Sequence, residues 1–143
     1  MKESKNMDKL KRTVQMLKKY PMQYLGVIGL DGKPKVKAFE FKFEENGKLY
    51  FDVIRGSETY KELSVNPYCE ITVASRKDLE WIRISGKVRF VNEVYLRDKL
   101  FDHSEILSQK YGHIRELVMP FTLDDVHVSI SNLNDQNNVS FDL

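Results

Sequence analysis

The chain has 143 residues, 41% of them hydrophobic and 31% charged, and 23 basic against 21 acidic side chains give a formal net charge of +2. That length suits one domain with one core. The supply of aromatic and apolar residues excludes disorder by composition, and the charge balance calls for neither a nucleic-acid nor a membrane partner. The lone cysteine, Cys69, excludes an internal disulfide and fits a reducing compartment. With no signal-like apolar stretch in the first twenty residues and no bilayer-length apolar run, the chain reads as cytoplasmic.

Met7, Leu10, Val14 and Leu17 recur at spacings of three and four, which predicts a helix over 7–19 ended by Tyr20-Pro21. Its lysines read as a solvated face rather than a binding surface. From Gln23 the period changes: Tyr24, Val27, Ile28 and Leu30 mark a strand stopped by the turn dipeptide Asp31-Gly32. In the second strand Val36, Ala38, Glu40 and Lys42 point one way, and Lys37, Phe39, Phe41 and Phe43 the other. Asn46-Gly47 turns the chain into a third strand, Leu49 to Val53.

Ser57 to Val65 predicts a short helix with Ser57 as N-cap, Glu58 in its first turn and Asn66-Pro67 as its stop. Strands follow at Tyr68 to Ala74 and at Trp81 to Val91, where Trp81, Arg83 and Ser85 alternate with Ile82 and Ile84. A helical region over 93–111 carries a break near His103-Ser104. Leu117 to Leu123, weakened by Pro120, and Val126 to Ile130 read as two closing strands, with Asp124-Asp125 as the turn between them. The polar tail, 132–143, ends in Val139 and Phe141 and is either mobile or docked on a partner. The order implies a mainly β fold with helices, a barrel of about six antiparallel strands capped at one end by the helix from Ser57.

Chemistry is sparse. His103, His113 and His127 are scattered, so neither a catalytic triad nor a metal site is expected, and Cys69 reads as a buried structural thiol. No GxGxxG or Walker pattern is present. What remains is a lysine run, Lys33, Lys35, Lys37 and Lys42, with phenylalanines on the face of Lys37. One strand later Ile54-Arg55-Gly56 leads into a helix N-terminus at Ser57. Free amides and the helix dipole favour phosphate there. Together these features suit a phosphorylated planar ligand, flavin among others.

The stretch GKPKVKAFEFKFEENGKLYFDVIRGSETYKELSVNPYCEITV, followed by WIRISGKVRFV, resembles the pyridoxamine 5'-phosphate oxidase-like family. The likeness is greatest to its short general-stress and nitroimidazole-resistance-like members; it runs from Tyr20 to Val91, with a weaker echo to Ile130. The resemblance implies a split β-barrel that binds FMN in a groove between the two subunits of a homodimer. It implies cofactor contacts from Lys37, Ala38 and Phe39 on the second strand and from Val53, Ile54, Arg55 and Ser57 at the end of the third. Lys61 follows one helical turn later, and Trp81 takes the place of a glutamine near the ring in the longer oxidases. Relatives carry a hydroxyl at Val53 and a cation at Ser57, so the phosphate grip here is weaker or falls to Arg55 and Lys61. The substrate-phosphate residues of true pyridoxamine phosphate oxidases have no counterpart at this C-terminus, which argues against vitamin B6 oxidation. The leading expectation is an FMN-dependent oxidoreductase. The alternative is a non-catalytic carrier of FMN or haem, with a histidine as axial ligand in the haem case.

Overall fold

The computed structural model describes residues 2–134 and 138–143, with side chains from Asp8 onward. In chain order the elements are α1 (Lys2–Lys19), β1 (Gln23–Ile28), β2 (Pro34–Phe39), β3 (Phe43–Glu45), β4 (Lys48–Ile54), α2 (Glu58–Val65), β5 (Tyr68–Ser75), β6 (Glu80–Phe90), α3 (Val94–Asp102), α4 (Glu105–Tyr111), β7 (Val118–Asn132) and β8 (Val139–Asp142). The sheet order is β2-β1-β5-β6-β7-β4-β3, with β8 beside β7. Every strand pairing among the described residues is antiparallel. This is the antiparallel barrel expected from the turn order, in the split form that the resemblance implies, built from eight strands rather than about six.

Two strands are gained, one by division and one from the tail, while the two closing strands fuse into one. The long second strand breaks at Glu40–Lys42, so β2 pairs with β1 while β3 pairs with β4. The break divides the phenylalanine face: Phe39 and Phe41 pack with the main core, whereas Phe43 joins a smaller cluster with Leu96, Leu100 and Phe101 of α3. The other addition is β8, formed by the tail expected to be mobile or partner-bound. Residues 138–143 of that tail return to β7, and Phe141 is buried in the main core; residues 135–137 lie outside the described part.

The two closing strands expected from the sequence are one. Pro120 is tolerated because it faces the end of β6: its carbonyl accepts the Val91 N–H, and the Val91 carbonyl that its missing N–H would have met accepts the Glu93 N–H instead. Asp124-Asp125 do bend the chain, but as a bulge within β7. Asp125 has φ +52°, and the β6 register slips between Ser85 and Lys87 opposite it. Gly86 lets the strands pass closely at that slip: a Cβ there would sit 3.1 Å from the Leu123 Cβ and 3.2 Å from the Asp124 carbonyl, so any side chain would push them apart by a few tenths of an ångström. On one edge β7 runs along β4 as far as Thr122, and beyond the bulge it pairs with β8, which lets one sheet coil and split.

The main core holds Phe51, Phe121, Ile71, Ile84 and Leu123 inside the barrel, with Leu17 of α1 and Leu63 of α2 packed against them. Gln23 ties three elements together. Its amide donates to the Leu17 and Tyr20 carbonyls at 2.8 and 2.9 Å, and its oxygen accepts the Phe41 N–H at 2.6 Å. The corner between β2 and β3 is thereby fixed to the end of α1. No helix among the described residues is long and apolar enough to cross a membrane.

Candidate functional site

Beside that corner lies a cleft of about 560 Å3, walled by β2 and the residues after it, the end of β4, the start of α2, and α4. Of the residues expected from the sequence, Lys37, Ala38, Phe39, Val53, Ile54 and Ser57 line it together. The antiparallel order explains the convergence: the end of β2 and the end of β4, on opposite sides of the split, both open toward α2. Glu40, Lys42, Asp52, Thr59 and, from α4, Leu107 and Tyr111 complete much of the wall.

Ser57 caps α2 as expected, its hydroxyl accepting the Tyr60 N–H at 3.2 Å. Lys61 N–H is taken by the Ser57 carbonyl, so helix geometry leaves the Glu58 and Thr59 amides without an intrahelical acceptor at the cleft mouth. Arg55, Lys61 and Trp81 are not among the lining residues. Arg55 and Lys61 are exposed at the same end of α2. Trp81 lies on β6, paired with Ala74 and Ser131, on the outward face of the sheet. The phenylalanine wall reduces to Phe39, whose ring packs 5.6 Å from Phe121 and 6.1 Å from Phe51.

The lysine run is not a free basic strip. Lys35 pairs with Asp31 at 3.2 Å, Lys42 with Asp52 at 3.6 Å and Lys37 with Glu62 at 3.0 Å. Burial pushes the Asp52 carboxyl above its ordinary range, against the opposing pull of Lys42. Glu62 on α2 is 0% exposed, and neither of its oxygens accepts a well-aligned hydrogen bond. Lys37 is its one ion-pair partner among the described residues. Sequence reasoning missed both acids. Asp52 carried a usable signal, since alternation along β4 sets it on the outward face with Tyr50 and Ile54. Glu62 carried none, because an acid beside Lys61 on a short helix reads as solvated.

The histidines lie elsewhere. None lines the cleft. His103 rests against the Phe43 ring, 5.2 Å between centroids, at the end of α3. His127 does join a serine and a carboxylate: its Nδ1 lies 2.7 Å from Asp142 Oδ1 and its Nε2 lies 2.7 Å from Ser140 Oγ. All three are on the exposed face of β7 and β8, with the Asp142 side chain 85% exposed. Water competes for each hydrogen bond there, and the chain of contacts acts as a clasp on β8. Cys69 is buried as expected, and desolvation pushes its thiol up to about 12, so it is inert. No group of three or more possible metal-ligating side chains is found among the described residues.

No curated protein matches the chain by sequence. Among solved structures, similarity extends to a NimC/NimA family protein from Clostridium acetobutylicum, at 23% identity and TM-score 0.84, covering 94% of this chain and 92% of that one. A pyridoxamine 5'-phosphate oxidase-related, FMN binding protein from Nostoc punctiforme superposes at 14% identity and TM-score 0.68, covering 86% of each chain. A heme binding protein from Mycobacterium smegmatis does so at 14% identity and TM-score 0.67, covering 86% of this chain and 53% of that one. At these identities the likeness is one of fold. The sequence profile described as Pyridoxamine 5'-phosphate oxidase matches residues 10–129. That match spans most of the chain and the whole of the cleft, and on it the chain belongs to the pyridoxamine 5'-phosphate oxidase-like family.

Proposed function

We propose that the cleft binds FMN and that the protein is an FMN-dependent oxidoreductase working as a homodimer. The observation that carries this is the convergence of the α2 start, Lys37 and an apolar wall on one cavity large enough for a cofactor. The donor set fits a phosphate at one end: two uncommitted helix amides, the Ser57 and Thr59 hydroxyls and a lysine. Arg55 and Lys61 add cationic charge from the rim. Phe39, Val53, Ile54 and Leu107 offer apolar surface that would exclude water from a planar ring.

When bound, FMN would supply the redox chemistry. This chain's part is to hold and orient it. Lys42 and Asp52 put a cation and a carboxyl whose hold on a proton is raised by burial on the same wall, where either could hold a proton beside a bound ligand.

The homodimer rests on the open side of the sheet. Val36 is 71% exposed, and Met22, Tyr24, Ile28 and Tyr68 are exposed with it. On that face Tyr24 pairs with Ala38 and Gly26 with Val36, so the apolar surface is continuous over β2 and β1; on β5 it meets Thr72 and Glu70, which pairs with Arg83, before Tyr68. Trp81, paired with Ala74 on the same outward face, would be covered by a second copy seated there. The competing reading, a non-catalytic haem carrier, is disfavoured because no histidine lines the cleft. The absorbance spectrum of the purified protein tests the pair: flavin bands support FMN, a Soret band supports haem. Bleaching of the flavin bands by NAD(P)H separates enzyme from carrier, and a monomeric mass by sedimentation with FMN present would remove the dimer.

A further inference from the structure

Glu62 is a fully buried carboxylate, 0% exposed, with no well-aligned hydrogen bond to either oxygen. Native interiors seldom leave such a group, because a buried charge without donors is strongly disfavoured. Its single counter-charge is the Lys37 ammonium at 3.0 Å. That ammonium belongs to the cleft: Lys37 lines it, and its side chain keeps 26% of its surface exposed while Glu62 keeps none. The pair therefore has a dry end on α2 and a wet end at the ligand. Lys37 cannot swing fully to a ligand without stranding the carboxylate, so its position is set from behind. Its charge, as felt by an anion in the cleft, is also largely cancelled.

Resting on the reading of this cleft as a flavin-phosphate site, we propose that Glu62 is a positioning and specificity residue: it fixes the Lys37 ammonium at the wall and offsets its charge, so that Lys37 adds little to a hold on the phosphate that falls to the α2 amides and the Ser57 and Thr59 hydroxyls. The protein then distinguishes FMN from riboflavin less sharply than an unpaired lysine at this position would allow. Glu62→Gln keeps the shape of the side chain and removes the negative charge. It frees Lys37 to act on the phosphate as a full cation.

The test is a charge cycle read as the ratio of FMN to riboflavin affinity by flavin fluorescence quenching. Glu62→Gln should raise the ratio about tenfold over the parent, the size of one gained charge-assisted contact. Lys37→Met, which leaves the carboxylate bare, should lower it by a similar factor. The double variant should return to within about threefold of the parent, because both charges are gone together. A role in folding alone would move both ligands equally and leave the ratio fixed. An unchanged ratio in Glu62→Gln overturns the proposal, as does a double variant as poor as Lys37→Met, which would make Lys37 a plain phosphate ligand indifferent to Glu62. If the parent binds neither flavin, the flavin reading fails by itself. Thermal stabilisation by inorganic phosphate then decides about Glu62: a larger shift in Glu62→Gln than in the parent supports it, and an equal shift overturns it.

Discussion

Replacing Gln23 by leucine should cost more than any exposed change in this protein. The side chain is 0% exposed and makes three hydrogen bonds, two to the Leu17 and Tyr20 carbonyls and one from the Phe41 N–H. Leucine fills a similar volume, so little cavity forms, and the loss is polar. Three backbone groups would be left without partners at about 1–3 kcal/mol for each fully buried one. The Tyr20 carbonyl is only part-buried and can recover a water, which sets the total at about 3–5 kcal/mol. For a domain of this size that is a fall in Tm of about 8–16 °C. Urea unfolding followed by circular dichroism measures it, with the slope checked for constancy so that the midpoint reports stability. Gln23→Glu should do no better, since a carboxylate keeps the acceptor for Phe41 but meets two carbonyls with no proton to give. A loss below about 1 kcal/mol for Gln23→Leu would refute the bookkeeping and the idea that Gln23 fixes the β2–β3 corner.

Other consequences are as specific. Ser57→Lys restores the cation that relatives place at the phosphate end and should tighten FMN by about tenfold or more, with riboflavin little changed, in a quenching titration. Phe141→Ala removes the anchor of β8 from the core and should cost about 2–4 kcal/mol by urea unfolding, together with faster proteolysis near residue 138; an unchanged digest would mean the tail is not held by Phe141. The Asp52 carboxyl is shifted upward by burial, so on acidification its protonation removes a negative charge from the cleft wall before an ordinary aspartate would titrate. FMN affinity should therefore rise as pH falls through that titration, and Asp52→Asn should flatten the slope.

The elements were legible where local chemistry decides them. The Ser57 cap, the Asn66-Pro67 stop, the break at His103-Ser104 and the glycine turns all sit where the sequence puts them. What was hidden depends on distant partners. Pro120 looks like a strand breaker until it is seen that β6 ends beside it. Val139 and Phe141 look like a polar tail's end until β7 offers them an edge. The cleft followed the same division: the β2, β4 and α2 contributions could be named, whereas the α4 side chains Leu107 and Tyr111 could not, since nothing in the sequence brings that helix to the split. Charge pairing was the least visible feature, because Asp52 and Glu62 lie 10 and 25 residues from the lysines they meet.

The most direct test of the account is a titration of the purified, flavin-free protein with FMN, followed by quenching of flavin fluorescence and by the mass of the complex. Saturable quenching at one FMN per protomer, on a species of twice the chain's mass, is the predicted result, and Ser57→Lys should shift that curve to lower FMN. Free FMN fluorescence that stays unquenched at micromolar protein, with the Ser57→Lys variant behaving the same way, would contradict it and take the flavin assignment of the cleft with it.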